Sequence, residues 1–136
     1  MKEIVLDAKV DNLPQVLSFV DEELEKAECS MKGMMQIDVA VEEIFVNVAS
    51  YAYEGKEGNC KIEVDADPGN QYVTITFTDE GIPYNPLAKE DPDVTLSAEE
   101  REIGGLGIFI VKKSMDKTAY ERKDNKNIFS MGYSWA

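Results

Sequence analysis

Histidine is absent from this chain of 136 residues. That removes Ser-His-Asp and Cys-His catalysis, imidazole metal ligands and any phosphohistidine formed on the chain itself. Acid–base work near neutral pH falls to carboxylates and lysines. Cysteine is scarce, with only Cys29 and Cys60 and no close spacing. This argues against a disulfide scaffold and a thiolate zinc centre, and both residues read as reduced thiols. No apolar run approaches the roughly 20 residues that a bilayer-spanning helix needs. The run that follows Met1 is too short for a signal peptide, so the expectation is a cytoplasmic chain. Basic residues are outnumbered, 14 Lys and Arg against 27 Asp and Glu, for a net charge of −13. Such a surface repels phosphate backbones and argues against direct nucleic-acid binding. Any anion site must therefore draw local positive potential from a metal ion, a helix N-terminus or both.

With 43% hydrophobic and 30% charged residues, the composition reads as globular, and the length suggests one domain over 1–136. Residues 3–6 read as a short strand. Asp11 or Asn12 can cap a helix with Pro14 in its first turn, and Leu13, Val16, Leu17, Val20 and Leu24 form its apolar stripe to about Ala27. A second helix is predicted from about Met31 to Tyr51, with Met34, Ile37, Val41, Ile44 and Val48 on one face. Residues 60–67 and 71–79 alternate apolar and polar around a turn at Pro68-Gly69-Asn70, which predicts a hairpin with one buried face. Residues 80–103 show no period and carry three prolines; a stretch of that kind is usually functional or mobile. A third helix starts at the following glycines and runs to about Met115. A second hairpin, 117–123 and 127–134, turns at Asp124-Asn125. Phe129, Met131, Tyr133 and Trp135 read as packing, and Glu99, Glu100 and Glu102 as a solvated patch. Hairpins with helices collected on one face predict an α+β two-layer sandwich built on a mixed, mostly antiparallel sheet.

Four groups of residues suit ligand chemistry. Glu43 and Asn47 lie four apart on one helix face, beside the apolar stripe. A carboxylate and an amide there can orient a water and hold Mg²⁺, which takes hard oxygen ligands; a polar boundary pair is the alternative. Asp79 falls in phase with Val73, Ile75 and Phe77, so it points inward if the strand reaches that far. A buried carboxylate needs a partner, and a purine amino group is one; otherwise Asp79 begins a turn with Gly81 and Pro83. Gly104-Gly105-Leu106-Gly107 precedes an apolar helix whose free amides and dipole suit phosphate, although a hinge or close helix packing fits the same glycines. Arg101 and Lys89 are cations within reach of a phosphate if the loop closes; Lys89 is better read as solvated charge.

Taken in order, Glu43-Ile-Phe-Val-Asn47, Asp79-Glu-Gly81-Ile82-Pro83 and Gly104-Gly-Leu-Gly107 resemble the ATP-binding superfamily of gyrase, histidine kinases and mismatch-repair ATPases. The stretches Thr78–Leu87 and Gly104–Val111, with Met115-Asp116 after them, are similar to the bacterial anti-sigma factor serine/threonine kinases. The resemblance covers nearly the whole chain and implies a Bergerat-type ATP-binding fold with ATP and Mg²⁺ as cofactors. It implies Glu43 as general base and Asn47 as Mg²⁺ ligand. It also implies Asp79 on the adenine amino group, with Gly81, Ile82 and Pro83 near the base. Gly104, Gly105, Leu106, Gly107 and Arg101 would serve the phosphates, beneath a lid at about 84–103. Tyr51 stands where that branch often has histidine and is expected to pack beside the nucleotide. The implied activity is phosphorylation of a small STAS-type anti-anti-sigma protein, with a sigma factor as competing partner and a homodimer as the common assembly. An ATP-loaded module that sequesters a partner without transferring phosphate is a second reading, a detached histidine-kinase catalytic domain that needs another chain's histidine a third, and a structural α+β domain with no ligand a fourth.

Overall fold

The computed structural model of the chain describes residues 1–88 and 105–136. Eight principal elements follow in order: β1 Lys2–Asp7, α1 Leu13–Lys26, α2 Met31–Asn47, β2 Asn59–Asp67, β3 Tyr72–Asp79, α3 Gly105–Ser114, β4 Lys117–Lys123 and β5 Lys126–Ser134. The strands form an open five-stranded sheet in the order β1-β2-β3-β5-β4, and the fold is α+β. Every neighbouring pair is antiparallel, where a partly mixed sheet was expected. The connections explain this. The helix pair α1–α2 lies between β1 and β2, and the two strands meet antiparallel. The single helix α3 returns β4 in the same sense as β3, but β5 turns back and fills the place between them.

The predicted stripes are the ones that pack. Val16, Val20 and Leu24 of α1 and Ile37, Val41 and Ile44 of α2 are buried against one face of the sheet, which presents Ile62, Val64, Ile75, Phe77, Phe129 and Met131. Phe45 of α2 and Val111 of α3 complete this core. The other sheet face carries Thr74, Thr76, Thr78 and Ser130, which are half-buried. None of the helices among the described residues is long and apolar enough to cross a membrane.

Local details depart from expectation for clear reasons. Asn12 precedes α1 without capping it; its Nδ2 donates to the Asp7 carbonyl at 2.9 Å instead. The cap of α2 is Ser30, whose hydroxyl accepts from the Gly33 N–H at 3.0 Å. Regular α-helix stops at Asn47, and Val48–Ala52 continues as a π-helical turn. Such turns are common beside functional sites. In the first hairpin turn the left-handed position falls on Gln71, not Gly69, and Asp67 accepts from the Asn70 N–H and side chain. The β4–β5 turn uses Asp124 and Asn125, both with positive φ, as a two-residue hairpin demands.

Between α1 and α2, Asp21 and Asp38 face each other, and one oxygen of each is buried with no other donor in reach. Two carboxylates cannot bond each other unless one carries a proton. Burial, and then Asp21 itself, push Asp38 from 3.8 up to about 8. The folded state thus holds a proton that the unfolded chain releases near pH 4. The sign follows: stability falls as pH rises from about 4 to about 8. Asp38 is only half-buried, so solvent screening limits the effect to about 1 kcal/mol. Asp38→Asn, which replaces the shared proton with an amide donor, is expected to remove that slope and raise stability at pH 8. Denaturant midpoints of both proteins at pH 5 and pH 8 check this; equal slopes would contradict the shared proton.

Candidate functional site

The site forms where β3 ends. Alternation carries Asp79 onto the buried face, and it is 6% exposed. Its Oδ1 accepts from the Gly81 N–H and from Asn127 Nδ2, both at 2.9 Å. No described residue donates to Oδ2. Cross-strand register lines up Cys60, Asp79 and Asn127 on β2, β3 and β5. Burial, with the Asp79 charge next to it, pushes the Cys60 thiol up to about 12, so it stays protonated and chemically quiet.

The segment after Asp79 is drawn against the π-helical turn. Ile82 N–H donates to the Ala52 carbonyl at 2.8 Å. A Cβ on Gly81 would stand 2.1 Å from that same oxygen, so only glycine fits there. Ala52, the last residue of the turn, thus offers its carbonyl to the loop. Tyr53 secures the other side, donating to Asn59 O at 2.5 Å and accepting from the Glu80 N–H at 2.9 Å.

Asn47 and Asp79 line one narrow cleft between α2 and the sheet. Ile44, Val48 and Phe129 supply apolar wall, and Tyr84, Tyr120 and Asn127 line it too. A mostly apolar cleft with a carboxylate in its lining suits a heteroaromatic ring bearing an amino group. Asn47 Nδ2 donates to the Glu43 carbonyl at 3.0 Å, which leaves its Oδ1 free to act as a hard oxygen ligand.

Glu43 is half-buried and packs against the start of α3. A Cβ on Gly107 would fall 2.1 Å from Glu43 Oε2, so the first and third motifs touch. Burial, and then the neighbouring Glu42, hold the Glu43 carboxyl above the usual range. Gly105 opens α3, a helix of ten residues, and the first amides of a helix lack intrahelical partners and suit an anion. Other candidates lie elsewhere. Tyr51 is 48% exposed, with its ring 6.5 Å from that of Tyr84, and does not line the cleft. Ile82 and Pro83 are exposed and do not line the cleft. Lys89, Arg101 and Gly104, the Leu106 side chain and the lid from 89 to 103 fall outside the described residues.

Sequence reading missed Asn127, Tyr120 and Tyr84. Asn127 carried a signal, being in phase with Phe129 and Met131 and therefore a polar residue on the inward face. Tyr120 and Tyr84 carried none, because only the folded hairpin and loop bring them to the cleft.

The chain belongs to the histidine kinase-like ATPase domain family, a family of ATP-binding domains, matched over residues 6–133. Among solved structures it is similar to the RsbU and RsbW domains of Rv1364c from Mycobacterium tuberculosis, with a TM-score of 0.63 at 12% identity, over 98% of this chain and 32% of that one. It is also similar to the blue-light activated histidine kinase EL346 of Erythrobacter litoralis, with a TM-score of 0.58 at 13% identity, over 79% of this chain and 32% of that one. The histidine kinase domain of the same protein gives 0.57 at 13% identity, over 93% and 60%. The chain thus spans about a third of the first two. At these identities the likeness is one of fold. No curated protein matches the sequence.

Proposed function

We propose that the chain is an ATP-dependent protein serine/threonine kinase of the anti-sigma type. It would act in the cytoplasm, phosphorylate a STAS-type anti-anti-sigma protein and bind a sigma factor in competition with it. A homodimer is the assembly proposed with this reading. The observation that carries the proposal is the Glu43 carboxylate packed on Gly107, at the helix start that suits phosphate, beside an Asn47 oxygen free for a ligand.

The base binds in the mostly apolar cleft with Asp79 accepting from its amino group. Asn47 Oδ1 would hold Mg²⁺ together with the phosphates, and Gly105 and Gly107 offer amides to them. Mg²⁺, when bound, offsets negative charge on the phosphates. The partner's hydroxyl oxygen attacks the γ-phosphorus, the bond to the bridging oxygen breaks, and ADP leaves. Glu43 takes the hydroxyl proton, a role that its raised pKa favours.

Incubation with γ-labelled ATP and a STAS-type partner tests the reading. Glu43→Gln is expected to lower transfer about 100-fold or more, the scale of a general base, with ATP affinity little changed. Transfer at the wild-type rate would remove Glu43 from that role. ATP binding without transfer by the wild type would leave a sequestering module. Gly107→Ala gives a second check. The added methyl meets the free end of a flexible side chain, so folding is expected to change by less than about 1 kcal/mol. Displacing Glu43 is nonetheless expected to lower transfer about tenfold or more, since small misplacements of catalytic groups are costly.

A further inference from the structure

The loop that cradles the base is gripped from the far hairpin by a side chain that the reading above does not use. Arg122 of β4 donates from one guanidinium nitrogen to the Gly81 carbonyl at 2.8 Å. Its cross-strand partner is Asn127, whose Nδ2 donates to the next carbonyl, Ile82 O, at 2.7 Å. Tyr120, also of β4, donates its hydroxyl to Asn127 Oδ1 at 2.6 Å, and the Tyr84 N–H reaches the same oxygen at 3.4 Å. Two successive carbonyls are therefore held by one pair of facing residues, and the amide that orients Asp79 is itself oriented from β4. The other side of the segment is fixed by Ala52.

We propose that Arg122 is a positioning residue for the nucleotide: with Tyr120, it makes the β4–β5 hairpin a clamp that presets residues 81–84 before the base arrives. This rests on the ATP-binding reading of the cleft. Arg122 is exposed, and loss of one such hydrogen bond leaves the fold standing. The bound state, however, needs the loop in one place. A loop released in the free protein must be ordered on binding, and affinity falls accordingly.

Calorimetric ATP titration and amide hydrogen exchange of the free protein test the clamp. Arg122→Ala is expected to raise the ATP Kd about five- to tenfold and to speed exchange at Gly81 and Ile82 by a similar factor. Arg122→Lys, which can still donate to one carbonyl, restores most of both. Tyr120→Phe gives a smaller change in the same sense. In a transfer assay KM rises and kcat holds. Lys123→Ala removes the same charge one residue along and separates general electrostatics from the clamp: its exchange at 81 and 82 stays at the wild-type rate. Unchanged exchange and Kd in Arg122→Ala, with wild-type ATP binding intact, would overturn the clamp. Equal changes in Lys123→Ala would overturn it too. Absent ATP binding by the wild type would sink the nucleotide reading instead, and the exchange comparison would still judge the clamp.

Discussion

Asp79→Asn is expected to lower ATP affinity about 100-fold while the fold survives. The two carboxylate oxygens have different tasks. Oδ1 accepts from the Gly81 N–H and Asn127 Nδ2, so an asparagine must keep its oxygen there. Its NH₂ then takes the place of Oδ2, the oxygen left for the ligand. A donor faces the amino group of the base, and a charge-assisted bond becomes a donor–donor contact. Loss of such a bond costs about 2–3 kcal/mol, and about 1.4 kcal/mol is tenfold in Kd. Cost to the fold is small because both internal bonds persist. Calorimetric titration of ATP with Mg²⁺ into both proteins decides it. Wild-type affinity in the variant would show that the base does not lie on Asp79.

Gly81→Ala is expected to destabilise the protein by about 3 kcal/mol, near the upper end for overpacking. The added carbon would lie 2.1 Å from Ala52 O and 2.5 Å from Ala52 C, and both atoms are backbone. Nothing there can rotate away. Either the loop lifts, breaking the Ile82 N–H bond to Ala52 O, or the π-helical turn shifts and carries Asn47 with it. For a domain of this size the loss corresponds to a fall in melting temperature of roughly 10 °C. Thermal melting of Gly81→Ala beside Gly107→Ala makes the contrast direct, since one methyl meets backbone and the other a side-chain tip. Equal melting temperatures for Gly81→Ala and wild type would mean that the loop and the turn are not so closely joined.

Much of the fold was legible because its signals are local. Helical spacing in Val16, Val20 and Leu24, and in Ile37, Val41 and Ile44, marked the faces that are buried. Period two marked β2 and β3, and it placed Asp79 on the inward face where the structure has it. The same rule, applied to Asn127 ahead of Phe129 and Met131, marks a second inward polar residue. Its meaning depends on register, since Asn127 matters because it is the cross-strand partner of Asp79. The helical run ends at Ala52, one residue past the expected Tyr51, but its last turn is π-helical, which no local pattern marked. That turn forms here where Ala52 O finds the Ile82 N–H, thirty residues on. The sheet was expected to be partly mixed because strand adjacency is not written in the strands; β5 enters between β3 and β4 only once the hairpin folds back.

By itself the amino-acid sequence determined the helices and strands, the inward phase of Asp79 and the exclusion of histidine chemistry. Each depends on residue type and on spacing within a few positions, where side-chain period and covalent geometry act directly. Tertiary structure alone decided that Glu43 rests on Gly107, that Asn47 shares a cleft with Asp79, and that Arg122 grips Gly81. Those contacts join residues 32 to 64 positions apart in the chain. They exist because burying the helical stripes on one sheet face brings the ends of α2, α3, β3 and the β4–β5 hairpin together.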